Sequence, residues 1–569
     1  MDFVWNLFFM FGGVAAMMLG MKQMGSGLEK FAGSKMKNML GKVTTNRFAG
    51  VGVGLAVTSI IQSSTATTVM LVGFVNIGLM TLSQATNVIM GANIGTTVTA
   101  HIVSLSGVGQ IDIGAIAAMI GCVGILMSML VKNEKVQNIG NILAGLGMIF
   151  VGLEFISTYA KKIMFDANGM PFPFVERVFQ GNHNPLLLIL IGIVITALVH
   201  SSSTITSLMV VLASIGVLTF DNALFLALGS NIGTCITSIL SSAGTCTNAK
   251  RTAFVHLSFN VFGCLLFIAP LWIWSSQVVE LFASMSGDVG QQIAIFHTAF
   301  NIVTTLILLP FANLIVKLVC KIIPEKKCDR EEETLKLEYL DARLMETPAV
   351  AVANIKKEII RMAYIAKENI TLATDILLDT SNKEFEKVKN NEEVLNFLNK
   401  NITAYLTKLM GLDLPEKDDK VLGTYYHVVS DIERVGDYAE NISEYAVKLR
   451  QEDMDFSANA KKEVSGLVET ILQLFDKSLD CFENVKPEMF TEIDALEENV
   501  DDISLALENK HIERLKNNRC TPQIGSIYLQ TISNLERVGD HITNIALSIR
   551  HYAKPSKAVA LKHNAKTTN

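Results

Sequence analysis

Two segments, Gln62–Thr99 and His200–Thr237, align without a gap at a constant offset of 138 residues, with about one position in three identical. Self-similarity of this kind limits the fold more than any other feature of the chain. The identities include Ser63/Ser201, Ser64/Ser202, Gly78/Gly216, Gly91/Gly229, Asn93/Asn231, Gly95/Gly233 and Thr96/Thr234. Each copy opens on a polar cluster set in apolar sequence, QSSTATT from Gln62 and HSSSTITS from His200. A backbone group left unpaired in hydrocarbon costs on the order of several kcal/mol. A helix broken at such a cluster therefore persists only where side chains, a ligand or water satisfy the freed groups.

The sequence around these copies is that of an all-α polytopic membrane protein. Apolar runs of about 20 residues, enough to cross a bilayer, fall at 4–24, 84–105, 113–131, 138–158, 222–245, 252–275 and 293–318. Regions 49–79 and 186–219 are hydrophobic but interrupted by the clusters, and read as re-entrant hairpins. Only 18% of residues are charged, and roughly a quarter of those precede Pro324. The start lacks the basic region of a cleaved signal and reads as the first span. Lysines and arginines at 22–47, 132–135, 250–251 and 317–321 mark cytoplasmic ends, and 106–112 and 276–292 carry none. With the N-terminus outside, the hairpins enter from opposite faces, as in inverted-repeat transporters. The loop 159–185, expected outside, disagrees through Lys161, Lys162 and Arg177. The expected organisation is a membrane domain, 1–324, with repeats at about 1–132 and 138–320. A linker 325–344, a helical domain 345–555 and a disordered tail 556–569 follow.

Clusters of hydroxyls suit helix N-termini that point N–H groups at an anion. Their oxygens also replace the hydration shell of a small cation such as sodium. With almost no Arg or Lys in the core, anion binding would depend on neutral dipoles and accompanying cations, so co-transport follows. The plainer reading is that Ser and Thr bond back to helix carbonyls or join neighbouring helices; matched clusters in a repeat weigh against it. The GxNIGT segments around Asn93 and Asn231 fit either close packing or function. His256 and His297 lie in the similar phrases HLSFN and HTAFN, where hydrogen bonding between helices is as good an account as a site.

The paired clusters, each followed by GxNIGT, resemble the type II sodium–phosphate cotransporter family over about residues 1–320. The resemblance implies sodium-driven movement of inorganic phosphate. It implies phosphate contacts at Gln62, Ser63 and Ser64, with His200, Ser201, Ser202 and Ser203 opposite. Thr65, Thr67, Thr68 and Thr204, with Asn93 and Asn231, become candidates for sodium. His200 stands where a second glutamine would complete the symmetry.

From Thr334 onward long amphipathic helices take over, and a second repeat appears. DIERVGDYAENISEYAVKL from Asp431 matches NLERVGDHITNIALSIRHY from Asn534. Ile432, Val435, Ala439 and Ile442, and likewise Leu535, Val538, Ile542 and Ile545, form core stripes. Glu433 with Asp437, and Glu536 with Asp540, place like charges at i and i+4, which costs a few tenths of a kcal/mol. A metal cation or the adjoining Arg434 and Arg537 would each offset that cost, and residue types leave both open. The ERVGD phrases resemble PhoU domains over about 345–555, which implies paired three-helix bundles holding iron, zinc or another divalent metal. The preceding helix would add Glu497 and Asp501 in the second bundle. In the first, Glu392 is followed by Asn396 where Asp is expected.

The expected function is a sodium-coupled phosphate transporter of the cell membrane with a cytoplasmic regulatory domain. Its partners would be phosphate, sodium and the lipid bilayer, with homo-oligomers allowed. A regulated phosphate exporter and a phosphate-responsive sensor or channel are the alternatives. No basic stripe suggests nucleic acid. A hydrolase in the soluble half lacks a nucleophile or phosphate loop, so no enzyme is expected.

Overall fold

The structure is a computed structural model that describes residues 2–41, 46–105, 113–181, 183–325, 335–412, 414 and 416–551. Among these every regular element is helical and no strand forms. The chain divides into two compact units, Met1–Arg330 with Asp341–Ala349, and Glu331–Leu340 with Val350–Asn569. The stretch read as a disordered tail, and residues 326–334 of the linker, lie outside the described residues.

The first unit begins with α1 (Asp2–Gly41), α2 (Arg47–Ile61), α3 (Ser64–Asn76), α4 (Leu82–Gly95) and α5 (Thr97–Ser104). Helices α6 (Ile113–Leu130), α7 (Glu134–Met164) and α8 (Pro173–Val175) lead to the second copy. That copy comprises α9 (Pro185–Val199), α10 (Ser202–Ser214), α11 (Phe220–Gly233) and α12 (Cys235–Ser241). Then come α13 (Thr247–Ile273), α14 (Ser275–Met285), α15 (Val289–Leu308) and α16 (Ala312–Ile322). Among the described residues, five helical stretches are long and apolar enough to cross a membrane: Asp2–Ala32, Glu134–Met164, Phe220–Ser241, Thr247–Ile273 and Val289–Ile322. Lys161 and Lys162, which disturb the charge rule, fall in the last turn of α7, where cations suit the helix dipole.

Regions 84–105 and 222–245, read as unbroken spans, each contain a one-residue turn, at Thr96 between α4 and α5 and at Thr234 between α11 and α12, and Phe220–Ser241 still forms one span-length stretch. Each hydroxyl donates to the carbonyl four residues back, Thr96 to Ala92 and Thr234 to Ser230, both at 3.0 Å. The backbone at both residues stays right-handed helical, and each N–H still donates to the carbonyl four residues back.

The two copies also pack alike. Helix α2 lies on α4, and α9 on α11. A Cβ at Gly91 would strike the Val51 carbonyl oxygen, and one at Gly229 the matched Ile189 carbonyl oxygen. Glycine here admits one backbone directly against another. The copies then interlock, because α5 packs on α10 and α12 on α3.

A short 3₁₀ turn, Ala342–Glu346, completes the first unit. Leu344 is fully buried over Gly73 of α3, and Asp341 accepts from the Asn76 amide at 2.7 Å.

The second unit contains α17 (Pro348–Leu378), α18 (Phe385–Met410) and α19 (Glu416–Gln451), then α20 (Ala458–Asn484), α21 (Phe490–Lys516) and α22 (Pro522–Leu547). The eight stripe residues of the ERVGD helices are buried, as their spacing requires. Helices α19 and α22 pack together, with His541 Nδ1 2.9 Å from an Asp431 carboxylate oxygen and stacked on Tyr438.

Candidate functional site

The two clusters fold into the same local structure. Helix α2 ends at Gln62 and α9 at His200, both in the left-handed region, with φ/ψ of 58/23° and 58/21°. The next residue is extended and caps the following helix: Ser63 at −145/106° and Ser201 at −149/105°. Ser63 Oγ accepts from the Ala66 N–H at 3.1 Å, and Ser201 Oγ from the Thr204 N–H at 3.2 Å. A non-glycine residue at positive φ is strained and persists only where its surroundings hold it. Holding it twice, one residue before a cap, turns two 13-residue helices so that their N-terminal N–H groups and hydroxyls begin at the breaks. Ser64 and Ser202 are buried in the first turns, while Ser203 and Thr65 are half-buried at matched positions.

Several sodium candidates have their hydroxyls engaged within the protein. Thr67 donates to the Ser63 carbonyl at 3.0 Å, and Thr68 to the Thr65 carbonyl at 3.0 Å. Thr204 Oγ1 lies 2.8 Å from Ser201 Oγ. Asn93 donates to the Ile89 carbonyl at 3.0 Å, whereas Asn231 Oδ1 lies 3.2 Å from His297 Nε2.

The second copy also reveals residues that the motif left out. Thr58 and Thr196 are fully buried at matched positions. Thr58 donates to Thr67 at 3.1 Å, whereas Thr196 donates to Ser230 at 2.9 Å. Where the first copy has Thr67 and Ala92, the second has Ile205 and Ser230. One hydroxyl partner has been lost and another gained, so the buried group stays bonded. Other buried atoms around the copies have no hydrogen-bond partner among the described residues: Asn231 Nδ2, Asn260 Oδ1, Asn301 Oδ1, Thr304 Oγ1 and Ser207 Oγ. Unsatisfied oxygens and amides in an apolar surround are what water or an ion would occupy.

In the second unit the two carboxylate sets diverge. Ligand atoms of Glu497, Asp501 and Asp540 all lie within 4.8 Å of one another. Burial, and then the neighbouring carboxylates, push Glu497 and Asp540 above the usual range. A divalent cation bound there would relieve that repulsion, so the donor set fits a metal. Glu536 is likewise raised, by burial and then Asp540 and Asp501, but it stands outside the tight group. In the first bundle Glu392 accepts from Asn396 at 3.0 Å, and its second oxygen has no partner. Burial and then Asp437, Glu440 and Glu433 push Glu392 up to about 8. Glu433 and Asp437 are raised as well, chiefly by burial. A protonated carboxyl beside an amide is a poor cation ligand, so the first set fits a metal less well than the second.

Comparison with known proteins agrees with this division. Residues 16–158 and 174–313 match the Na+/Pi-cotransporter family model, and 359–446 and 464–549 match the PhoU domain. The Escherichia coli protein named "Putative inorganic phosphate export protein YjbB" is 23% identical over 96% of this chain and 97% of its own. The uncharacterized Bacillus subtilis protein YqeW is 31% identical over 54% of this chain and 95% of its own. Human sodium-dependent phosphate transport protein 2B is 36% identical over 151 residues, 26% of this chain and 20% of its own. With two capped breaks in its apolar half and paired ERVGD bundles behind them, the chain belongs to the Na+/Pi-cotransporter family of phosphate transporters, and it carries a PhoU domain.

Proposed function

We propose that the chain carries inorganic phosphate across the cell membrane in company with sodium. The matched pair of left-handed breaks, each followed by a serine-capped helix, carries this reading. Gln62, Ser63 and Ser64 would face His200, Ser201, Ser202 and Ser203 around one anion. Each cap serine accepts a backbone N–H through its oxygen and, with Thr204 donating to Ser201, keeps its own O–H for a phosphate oxygen. With no cation among these residues, sodium supplies the balancing charge. Thr65, Thr67, Thr68, Thr204, Asn93 and Asn231 are its proposed surroundings, alongside the unpaired oxygens of Asn260 and Asn301. The hairpins enter from opposite faces, and the PhoU domain lies in the cytoplasm. There the Glu497–Asp501–Asp540 group binds a divalent metal and the domain modulates transport.

Radiolabelled phosphate flux in proteoliposomes, with and without a sodium gradient, tests the proposal. Ser63→Ala and Ser201→Ala are each expected to lower flux at least tenfold, an estimate of about 1.5 kcal/mol for a hydrogen bond to a charged group. Ser63→Thr, which keeps cap and hydroxyl, should retain most of it. Unchanged flux in both alanine variants would reject the site. Net export is a second reading, favoured by the name of the relative that matches along its whole length. Vesicles loaded with phosphate on either side distinguish export from import.

A further inference from the structure

We propose that Thr99 and Thr237 are positioning residues that fix which edge of Gln62 and His200 faces the anion; this deepens, and rests on, the reading of the two breaks as the phosphate site. Thr99 lies on α5 and Thr237 on α12, each 37 residues beyond the residue it holds. Thr99 Oγ1 donates to Gln62 Oε1 at 2.9 Å. Gln62 Nε2 donates to the Ser59 carbonyl at 2.5 Å. An amide carries two N–H donors, so the acceptor edge is engaged and one N–H remains at the break. In the second copy, Thr237 Oγ1 lies 3.2 Å from His200 Nδ1. With the threonine donating as in the first copy, the neutral ring holds its proton on Nε2 and again offers an N–H. Histidine thus replaces glutamine without changing the hydrogen-bond polarity of the site, provided the threonine is kept. Because α5 packs on α10 and α12 on α3, each threonine also sits on a helix that touches the other copy.

Thr99→Val and Thr237→Val remove the hydroxyl at nearly constant shape. In proteoliposomes each is expected to raise the KM for phosphate about tenfold, with maximal rate and melting temperature held, and the serine variants should restore KM. In a Gln62→Ala background Thr99→Val should have no further effect, since its action passes through that amide. An unchanged KM in the valine variants overturns the proposal, as does an undiminished loss in the Gln62→Ala background. A fall in melting temperature that serine does not repair also overturns it. Wild-type vesicles that move no phosphate would overturn the transport reading itself; active wild type with indifferent valine variants overturns this assignment alone.

The turn Ala342–Glu346 and its flanks carry an independent assignment: we infer that they form a strap restraining the C-terminal end of α3, the helix that begins at the first break. Asn76, at the end of α3, donates to Asp341 and accepts from the Cys246 N–H at 2.9 Å. Arg343 pairs with both Asp341 oxygens at 3.0 and 2.9 Å and donates to the carbonyls of Ser241 and Ala243. Three pieces, the end of α3, the end of α12 and the start of α13, are tied by one segment, which runs on through Thr347 into α17. The second copy has Val211 and Ser214 where the first has Gly73 and Asn76, and Ser214 bonds Asp288 instead. If the strap restrains α3, releasing it speeds transport. Arg343→Ala, and Gly73→Val, which fills the Leu344 seat from below, should each raise the initial phosphate flux up to about fivefold, the equivalent of one hydrogen bond. Unchanged or slower flux in both, at wild-type melting temperature, overturns the strap.

Discussion

The chain contains two duplications, and they have aged differently. At the membrane breaks about two residues in three differ between copies, yet Gln62 and His200 share φ 58° and differ by only 2° in ψ. At the PhoU bundles the ERVGD phrase is intact, but one copy gathers Glu497, Asp501 and Asp540 while the other leaves Glu392 bonded to Asn396. The two breaks are made by backbone: helix ends, caps and carbonyls. Side chains can change there so long as the chain keeps its path. The PhoU clusters are made by carboxylates, and an amide at Asn396 changes how Glu392 is bonded.

The largest expected effects strike the backbone path. Gly91→Val and Gly229→Val would drive a side chain into the carbonyls of Val51 and Ile189, which are held by their own helices. Each should cost at least about 4 kcal/mol and leave little monodisperse protein after solubilisation. The contrast sharpens if both fail equally; a tolerated Gly229→Val would show that the second copy has drifted too.

Next in size is metal affinity. With the full-length protein stripped of metal and titrated with zinc or iron(II), Asp540→Asn should weaken binding about tenfold or more. Asn396→Asp should create a second site in the first bundle. Calorimetry counts the sites directly. If Asp540→Asn binds like wild type, the carboxylate group is structural.

What the sequence disclosed follows the same division. The breaks at Gln62 and His200 were legible because polar clusters are conspicuous in apolar runs, and the Asn396 exception because a single letter departs from a repeat. The one-residue turns at Thr96 and Thr234 were not, since GxNIGT continues the apolar run on either side. Thr58 and Ser230 were hidden as ordinary polar letters until their 2.9–3.1 Å bonds showed the exchange of partners. The strap was beyond reach: Asp341 and Asn76 are 265 residues apart, and no local pattern announces that pairing.

The smallest effect concerns how the soluble copies fill their cores. Counting from the matched Glu392 and Glu497, His511 of α21 occupies the place of Leu406 in α18. Both are buried. His511 stacks on Tyr528 at 4.6 Å, and its Nε2 has no partner. Burial, and then Arg514, lower its affinity for a proton, against a smaller opposing pull from Glu463. The unfolded side chain takes up a proton below about pH 6.5, while the folded one resists until lower pH. The unfolded state therefore binds more protons in that window, so stability is held above pH 6.5 and lost as pH falls below it. His511→Leu, which installs the first copy's residue, should remove that slope. Its advantage in melting experiments should grow by about 1 kcal/mol between pH 7.5 and 5.5. A wild-type slope that survives in the variant would assign the acid sensitivity elsewhere and leave the two bundle cores equivalent.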